Sequence, residues 1–185
     1  SHALKLNKLL YKNINFNKIG IDNPFNLFAI DDQKKYIKIS KNRFDNYDNS
    51  KYVKPKFLFS TCKLKLFNNQ ICNEYSILPN FIPDLIYIDG PDTNMITNSI
   101  NGLNISKNTN FMPMSSDVLK IENYLSPGTI IAIDGRYHNA IFLKNNLKRK
   151  WKYTYNQFSD QHFFYLNELT DIGKKSKLLL NFYKS

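Results

Sequence analysis

The sequence predicts an α/β domain on a mostly parallel sheet, covered by helices and finished by an antiparallel hairpin strand. Three observations carry this. The runs Asn26-Leu-Phe-Ala-Ile-Asp31-Asp32, Asp84-Leu-Ile-Tyr-Ile-Asp89-Gly90-Pro91-Asp92 and Gly128-Thr-Ile-Ile-Ala-Ile-Asp134-Gly135-Arg136 are apolar without polar alternation, the pattern of strands buried on both faces. Each run ends in aspartate, and in parallel sheets the loops leaving the carboxyl ends of strands share one crevice, so the acids are expected to converge on a ligand. The last two strand-like segments, Trp151 to Tyr155 and His162 to Leu166, are joined by so short a connection that they must run antiparallel.

In chain order, Leu6, Leu9 and Leu10 have helical spacing, and the stretch before them offers no strand. The chain is therefore expected to begin inside a helix. Leu27 to Asp32 behaves like the second strand of a nucleotide-binding unit, so the first strand and its glycine-rich turn would be missing. A trimmed domain or a tag residue at the start are the alternatives. Gln33 to Phe44 reads as a helix. Phe57 to Phe67 alternates toward its end as a half-exposed strand, Asn68-Asn69 signals a turn, and Ile71 to Ile77 returns as the second arm of a hairpin. The stretch of about 92–115 is rich in Asn, Thr and Ser with little periodicity, which suggests a flexible loop or lid. Ser115-Ser116-Asp117 supplies a cap for a helix from Val118 to Leu125, and Ser126-Pro127-Gly128 stops it. A further helix runs from Asn139 through Lys150.

Composition narrows the classes. The chain has 185 residues, 42% of them hydrophobic, enough for one domain with a sizeable core. No window approaches a membrane span and no leader pattern precedes the domain, so a cytoplasmic, soluble protein is expected. Cys62 and Cys72 form no CxxC or His cluster, which fits a reducing compartment without a disulfide framework. The net charge of +11 comes mostly from lysines spread along the chain. So high a charge invites a nucleic-acid reading, but phosphate binding needs clustered cations, and the even spread of the lysines argues against nucleic acid as partner. The densest cluster, Lys144 to Lys152, is a solvated helix end suited to the helix dipole, or else a binding patch.

Several motifs resemble class I S-adenosylmethionine-dependent methyltransferases. Phe-Ala-Ile-Asp31-Asp32 is similar to the second-strand acid of that family, and Ile-Tyr-Ile-Asp89-Gly90-Pro91-Asp92 resembles the fourth-strand motif of its small-molecule O-methyltransferase branch. Met112-Pro113-Met114-Ser115-Ser116-Asp117, Pro127-Gly128-Thr129, Asp134-Gly135-Arg136, Asn139-Ala140 and Phe142-Leu143-Lys144-Asn145-Asn146 resemble a less characterised bacterial group of methyltransferase-like proteins. The likeness covers roughly residues 24–168. It implies a Rossmann-like sheet, methyl transfer to an oxygen or nitrogen of a small, anionic or sugar-linked acceptor, and an order in which the missing first strand lies between the Leu27 and Asp84 strands.

The site residues follow from chemistry and position. Asp31 or Asp32 would accept hydrogen bonds from ribose hydroxyls, with helix capping as the alternative. The resemblance implies that Asp89, Gly90 and Pro91 contact the cofactor. Asp89 and Asp134, on strands expected to be adjacent, would share a divalent metal such as Mg, act as base, or simply form turns. Asp92, Arg136, Asn139 and His162 would contact the acceptor, with Arg136 clamping an anion by its planar fork or pairing with Asp89 or Asp134. His138 is a candidate base and His162 a second one, each with a packing role as the alternative. Tyr87 reads as core. Other readings are a non-catalytic nucleotide- or partner-binding module and an NAD-dependent oxidoreductase, which would use the same ribose-binding acid.

Overall fold

The computed structural model describes residues 26–46, 55–91, 95–105 and 114–168. The expected N-terminal helix, residue Asp92 and part of the expected lid lie outside them. The described residues fall into two compact units, one reaching Thr61 and including Ser76–Pro79, the other Cys62–Tyr75 with those from Asn80 onward.

In the first unit, β1 (Phe28–Asp31) pairs in parallel with β2 (Lys56–Phe59), and α1 (Lys34–Asp45) follows β1. The run expected to form one strand from Phe57 to Phe67 is broken at Ser60-Thr61. Ser60 explains the break: its amide donates to the Asp31 carbonyl at 3.0 Å while its hydroxyl accepts from the Ile77 amide at 2.8 Å.

The second unit begins with the hairpin of β3 (Cys62–Phe67) and β4 (Gln70–Tyr75), turned by Asn68 and Asn69, which both have positive φ, a conformation asparagine tolerates. Next come β5 (Leu85–Ile88), the short hairpin of β6 (Ser99–Ile100) and β7 (Leu103–Asn104), and β8 (Met114–Ser115), which runs parallel to β4. Within the stretch expected to form a loop or lid, Asn101 and Gly102 take positive φ and turn β6 into β7. Asn98 holds this segment to β3 by accepting from the Leu64 amide at 2.8 Å and donating to its carbonyl at 3.0 Å. Ile96 and Ile105 are buried in a small core with Cys62 and Leu64. Asn-Gly is the strongest short hairpin signal, and it was the cue that low periodicity obscured.

After β8, α2 (Asp117–Ile121) and a single 3-10 turn (Glu122–Tyr124) lead to β9 (Ile130–Asp134), α3 (Tyr137–Asn146), β10 (Trp151–Asn156) and β11 (Gln161–Leu166). The sheet order is β10-β11-β9-β5, with β11 antiparallel to both β10 and β9, and β5 parallel to β9. Ile131 and Ile133 of β9, Phe164 and Leu166 of β11, and Ala140, Phe142 and Leu143 of α3 are buried in the main core. Each isoleucine, leucine or phenylalanine side chain so withdrawn from water contributes about 1.5–3 kcal/mol.

The single, mostly parallel Rossmann-like sheet expected from the sequence is therefore corrected. The described strands form four small sheets of two, four, three and two strands, and antiparallel pairings mix with parallel ones. The reason is physical. An unbroken apolar run reports burial of both faces of a strand and says nothing about the direction of its neighbours. β9 is such a strand, with a parallel partner on one side and an antiparallel one on the other.

Two further expectations change. Ser116 occupies the N-cap position of α2 without a side-chain cap bond, because its hydroxyl donates to Glu74 Oε1 at 2.9 Å. α3 ends at Asn146, short of the Lys148-Arg149-Lys150 cluster. Beyond it the buried Glu122 carboxylate takes the amides of Lys148 and Arg149 and the Trp151 indole N–H, at 2.8, 2.8 and 2.9 Å. Arg149 is also bound twice over, through two nitrogens to Glu168 at 3.0 and 2.5 Å and through Nη1 to the carbonyls of Glu122 and Leu125. It acts as a structural clamp.

Candidate functional site

β5 and β9 end level with one another, Ile88 being paired with Ile133, so Asp89-Gly90-Pro91 and Asp134-Gly135-Arg136 leave the sheet at one edge. Strand alternation puts Tyr87, Ala132, Asp134 and Gln161 on one face of the sheet. There Tyr87 donates its hydroxyl to Asp134 Oδ2 at 2.6 Å, and Gln161 Nε2 donates to Oδ1 at 3.4 Å. The short bond marks a charge-assisted contact. Burial, then the hydrogen bond and charge of Asp134 and the charge of Asp89, push the Tyr87 phenol well above its usual range. Tyr87 consequently stays protonated as a donor. It is a part of this site that its reading as core missed, and the signal available was its position two residues before Asp89 on the same strand face.

Arg136 links the two strand tips, its Nη2 donating to the Pro91 carbonyl at 2.9 Å. Gly135, at positive φ, donates its amide to the Asp160 carbonyl at 2.8 Å, so the β10–β11 turn meets the same edge. Asp89 is exposed and Pro91 is buried. Both Asp134 oxygens receive protein donors, and among the described residues no three His, Cys, Asp or Glu side chains are grouped to hold a metal ion. As arranged, Asp134 is an acceptor of protein hydrogen bonds.

Three other predicted residues of this unit have different surroundings. His162 pairs with Ile133, on the opposite face from Asp134. His138 is exposed beside Tyr137, their rings 5.7 Å apart. Asn139 is 4% exposed, and its Oδ1 accepts from the Ser115 amide at 2.6 Å, which fastens β8 to α3. In the first unit Asp31 Oδ1 accepts from the Gln33 amide at 2.7 Å, a turn-forming bond, and Asp32 is buried.

A second polar group is buried between β4 and α2. Asp117 accepts from the Tyr75 amide with both oxygens at 3.2 Å, and Lys120 meets Glu74 at 2.7 Å and Asp117 at 3.5 Å. Burial raises the Asp117 pKa above the usual carboxylate range. Burial also acts to raise that of Glu74, but the hydrogen bonds from Lys120 and Ser116 and the lysine charges outweigh it and leave it lowered. Cys72 lies nearby, its thiol pushed up to about 11 by burial and then by the charge of Glu74, so it is no nucleophile at neutral pH.

No family model matches the chain, and no curated protein or solved structure shows significant similarity to it. Among the described residues no helix is long and apolar enough to cross a membrane.

Proposed function

We propose that the chain transfers a methyl group from S-adenosylmethionine to an oxygen or nitrogen of a small, anionic or sugar-linked acceptor. The observation that carries this reading is the joined pair of tips after β5 and β9, linked by Tyr87 to Asp134 and by Arg136 to the Pro91 carbonyl. Loops from adjacent parallel strands, held rigid in this way, suit a ligand that must be oriented more than chemically activated. The exposed Asp89 carboxylate beside Gly90 and Pro91 is an acceptor-only group, and it fits a ligand rich in hydroxyl and amino donors, as a nucleoside is.

The cofactor supplies a methyl group on a sulfonium sulfur. The chain's own contribution is binding and alignment. Asp89 holds donors of the ligand, while Arg136 keeps the loop containing Asp89 and Pro91 in register with Gly135. Asp134 is held by Tyr87 and Gln161 in one orientation, its charge available to steady a cationic centre. No covalent intermediate is required.

Calorimetric titration of S-adenosylmethionine, S-adenosylhomocysteine and NAD into the full chain, and then into Asp89→Ala, tests the reading. Binding of the sulfonium pair with micromolar affinity, weakened tenfold or more in the variant, is the expected result. Binding of NAD alone overturns it in favour of an oxidoreductase, and silence from a folded sample favours a non-catalytic module.

A further inference from the structure

On the helix-covered face of the same sheet, His162 is 1% exposed, and its two ring nitrogens differ sharply. Nδ1 lies 2.9 Å from the Tyr153 hydroxyl. Nε2 is buried with no hydrogen-bond partner among the described residues. Leaving such a group unmet is unfavourable, so its retention asks for an explanation. The ring is also fixed in direction. Tyr155 stacks on it with centroids 4.6 Å apart and planes 22° apart, and Tyr153 lies nearly parallel at 6.0 Å. Tyr137, at the start of α3, approaches at 5.9 Å and a 56° tilt. Tyr155 is itself held by Asp160 at 3.0 Å. Yet Tyr137 and Tyr155 are 59% and 49% exposed, so two half-solvated rings flank one buried, unmet nitrogen.

We propose that His162, Tyr137 and Tyr155 form a binding site for an aromatic ring bearing a hydroxyl, the hydroxyl meeting His162 Nε2 and the ring packing on the tyrosines. The chemistry selects this class. A hydroxyl both donates and accepts, so it satisfies Nε2 in either neutral tautomer, whichever way the bond to Tyr153 runs. Burial lowers the His162 pKa, which keeps the imidazole neutral near pH 7 and gives an anion no advantage. Exposed tyrosine rings favour offset or edge contacts with a second aromatic ring. The site lies on the opposite face from Asp134 and stands independently of the methyl-transfer reading.

The probe is phenol, titrated into the full chain labelled with 15N-histidine, with toluene and cyclohexanol as comparators. Phenol is expected to shift the Nε2 resonance of His162 more than either ring nitrogen of His138, and to bind at least fivefold more tightly than either comparator. His162→Gln is expected to weaken phenol tenfold. Should that variant unfold, Tyr137→Ala, which alters an exposed side chain, is expected to weaken phenol at least threefold. An unmoved Nε2 resonance overturns the site, as does toluene or cyclohexanol binding as well as phenol, or unchanged phenol affinity in the folded variants.

Discussion

Asp31 and Asp134 occupy equivalent places in the sequence, each the last residue of a short apolar strand, and the structure uses them differently. Asp31 spends an oxygen on the amide of Gln33, two residues on. Asp134 receives Tyr87 from β5 and Gln161 from β11, side chains brought from 47 and 27 residues away. One acid shapes its own turn, and the other joins three strands at a candidate ligand site. An acid at a strand tip therefore acquires its role from the strands beside it.

The strongest test of that contrast is a buried acid that serves three donors from beyond its own turn. Glu122, 3% exposed, serves two amides and an indole. Each buried donor left unmet costs about 1–3 kcal/mol, so Glu122→Ala is expected to lose on the order of 3 kcal/mol or more in urea unfolding. An unchanged midpoint would mean that the turn rebuilds around water. Tyr87→Phe removes a bond to a charged group and is expected to cost about 1.5–3 kcal/mol by the same measurement, discounted toward the lower figure because Asp134 is only half-buried. Asp31→Ala, losing a local bond of the capping kind, is expected to cost about 1 kcal/mol. A larger loss than for Tyr87→Phe would reverse the ranking of local and long-range acids.

The smallest effect is a pH dependence. The hydrogen bond from Arg149 is the chief cause that holds the Glu168 pKa below its ordinary value of 4.5. A carboxylate lowered in the folded state stabilises fully above its unfolded value, and that contribution is lost as pH falls through the folded one. Stability of the wild type is therefore expected to decline more steeply than that of Glu168→Gln below pH 4.5, measured by thermal unfolding at successive pH values. Parallel curves would show the pair to be screened by solvent.

Much of the local structure was legible before any coordinates. The helix after Asp31, the Asn68-Asn69 turn and the final antiparallel pair follow from periodicity, turn chemistry and the length of the connection. Sheet organisation was not legible, because burial of a strand leaves the direction and identity of its neighbours open. The same limit governed the site. Aspartates at strand ends were visible, whereas the bond from Tyr87 to Asp134 and that from Arg136 to the Pro91 carbonyl were not, since each depends on an atom from another loop or strand.

What the sequence determined by itself was the set of short-range elements, where propensity, turn residues and spacing act within a few positions. Tertiary structure alone decided which strands became neighbours and which polar atoms met. Those outcomes depend on contacts across tens of residues, such as Glu122 with Trp151, Arg136 with Pro91 and Tyr87 with Asp134. Hydrogen bonds are made only within about 3 Å and in favourable directions, so chain separation carries no information about them until the backbone has been brought round.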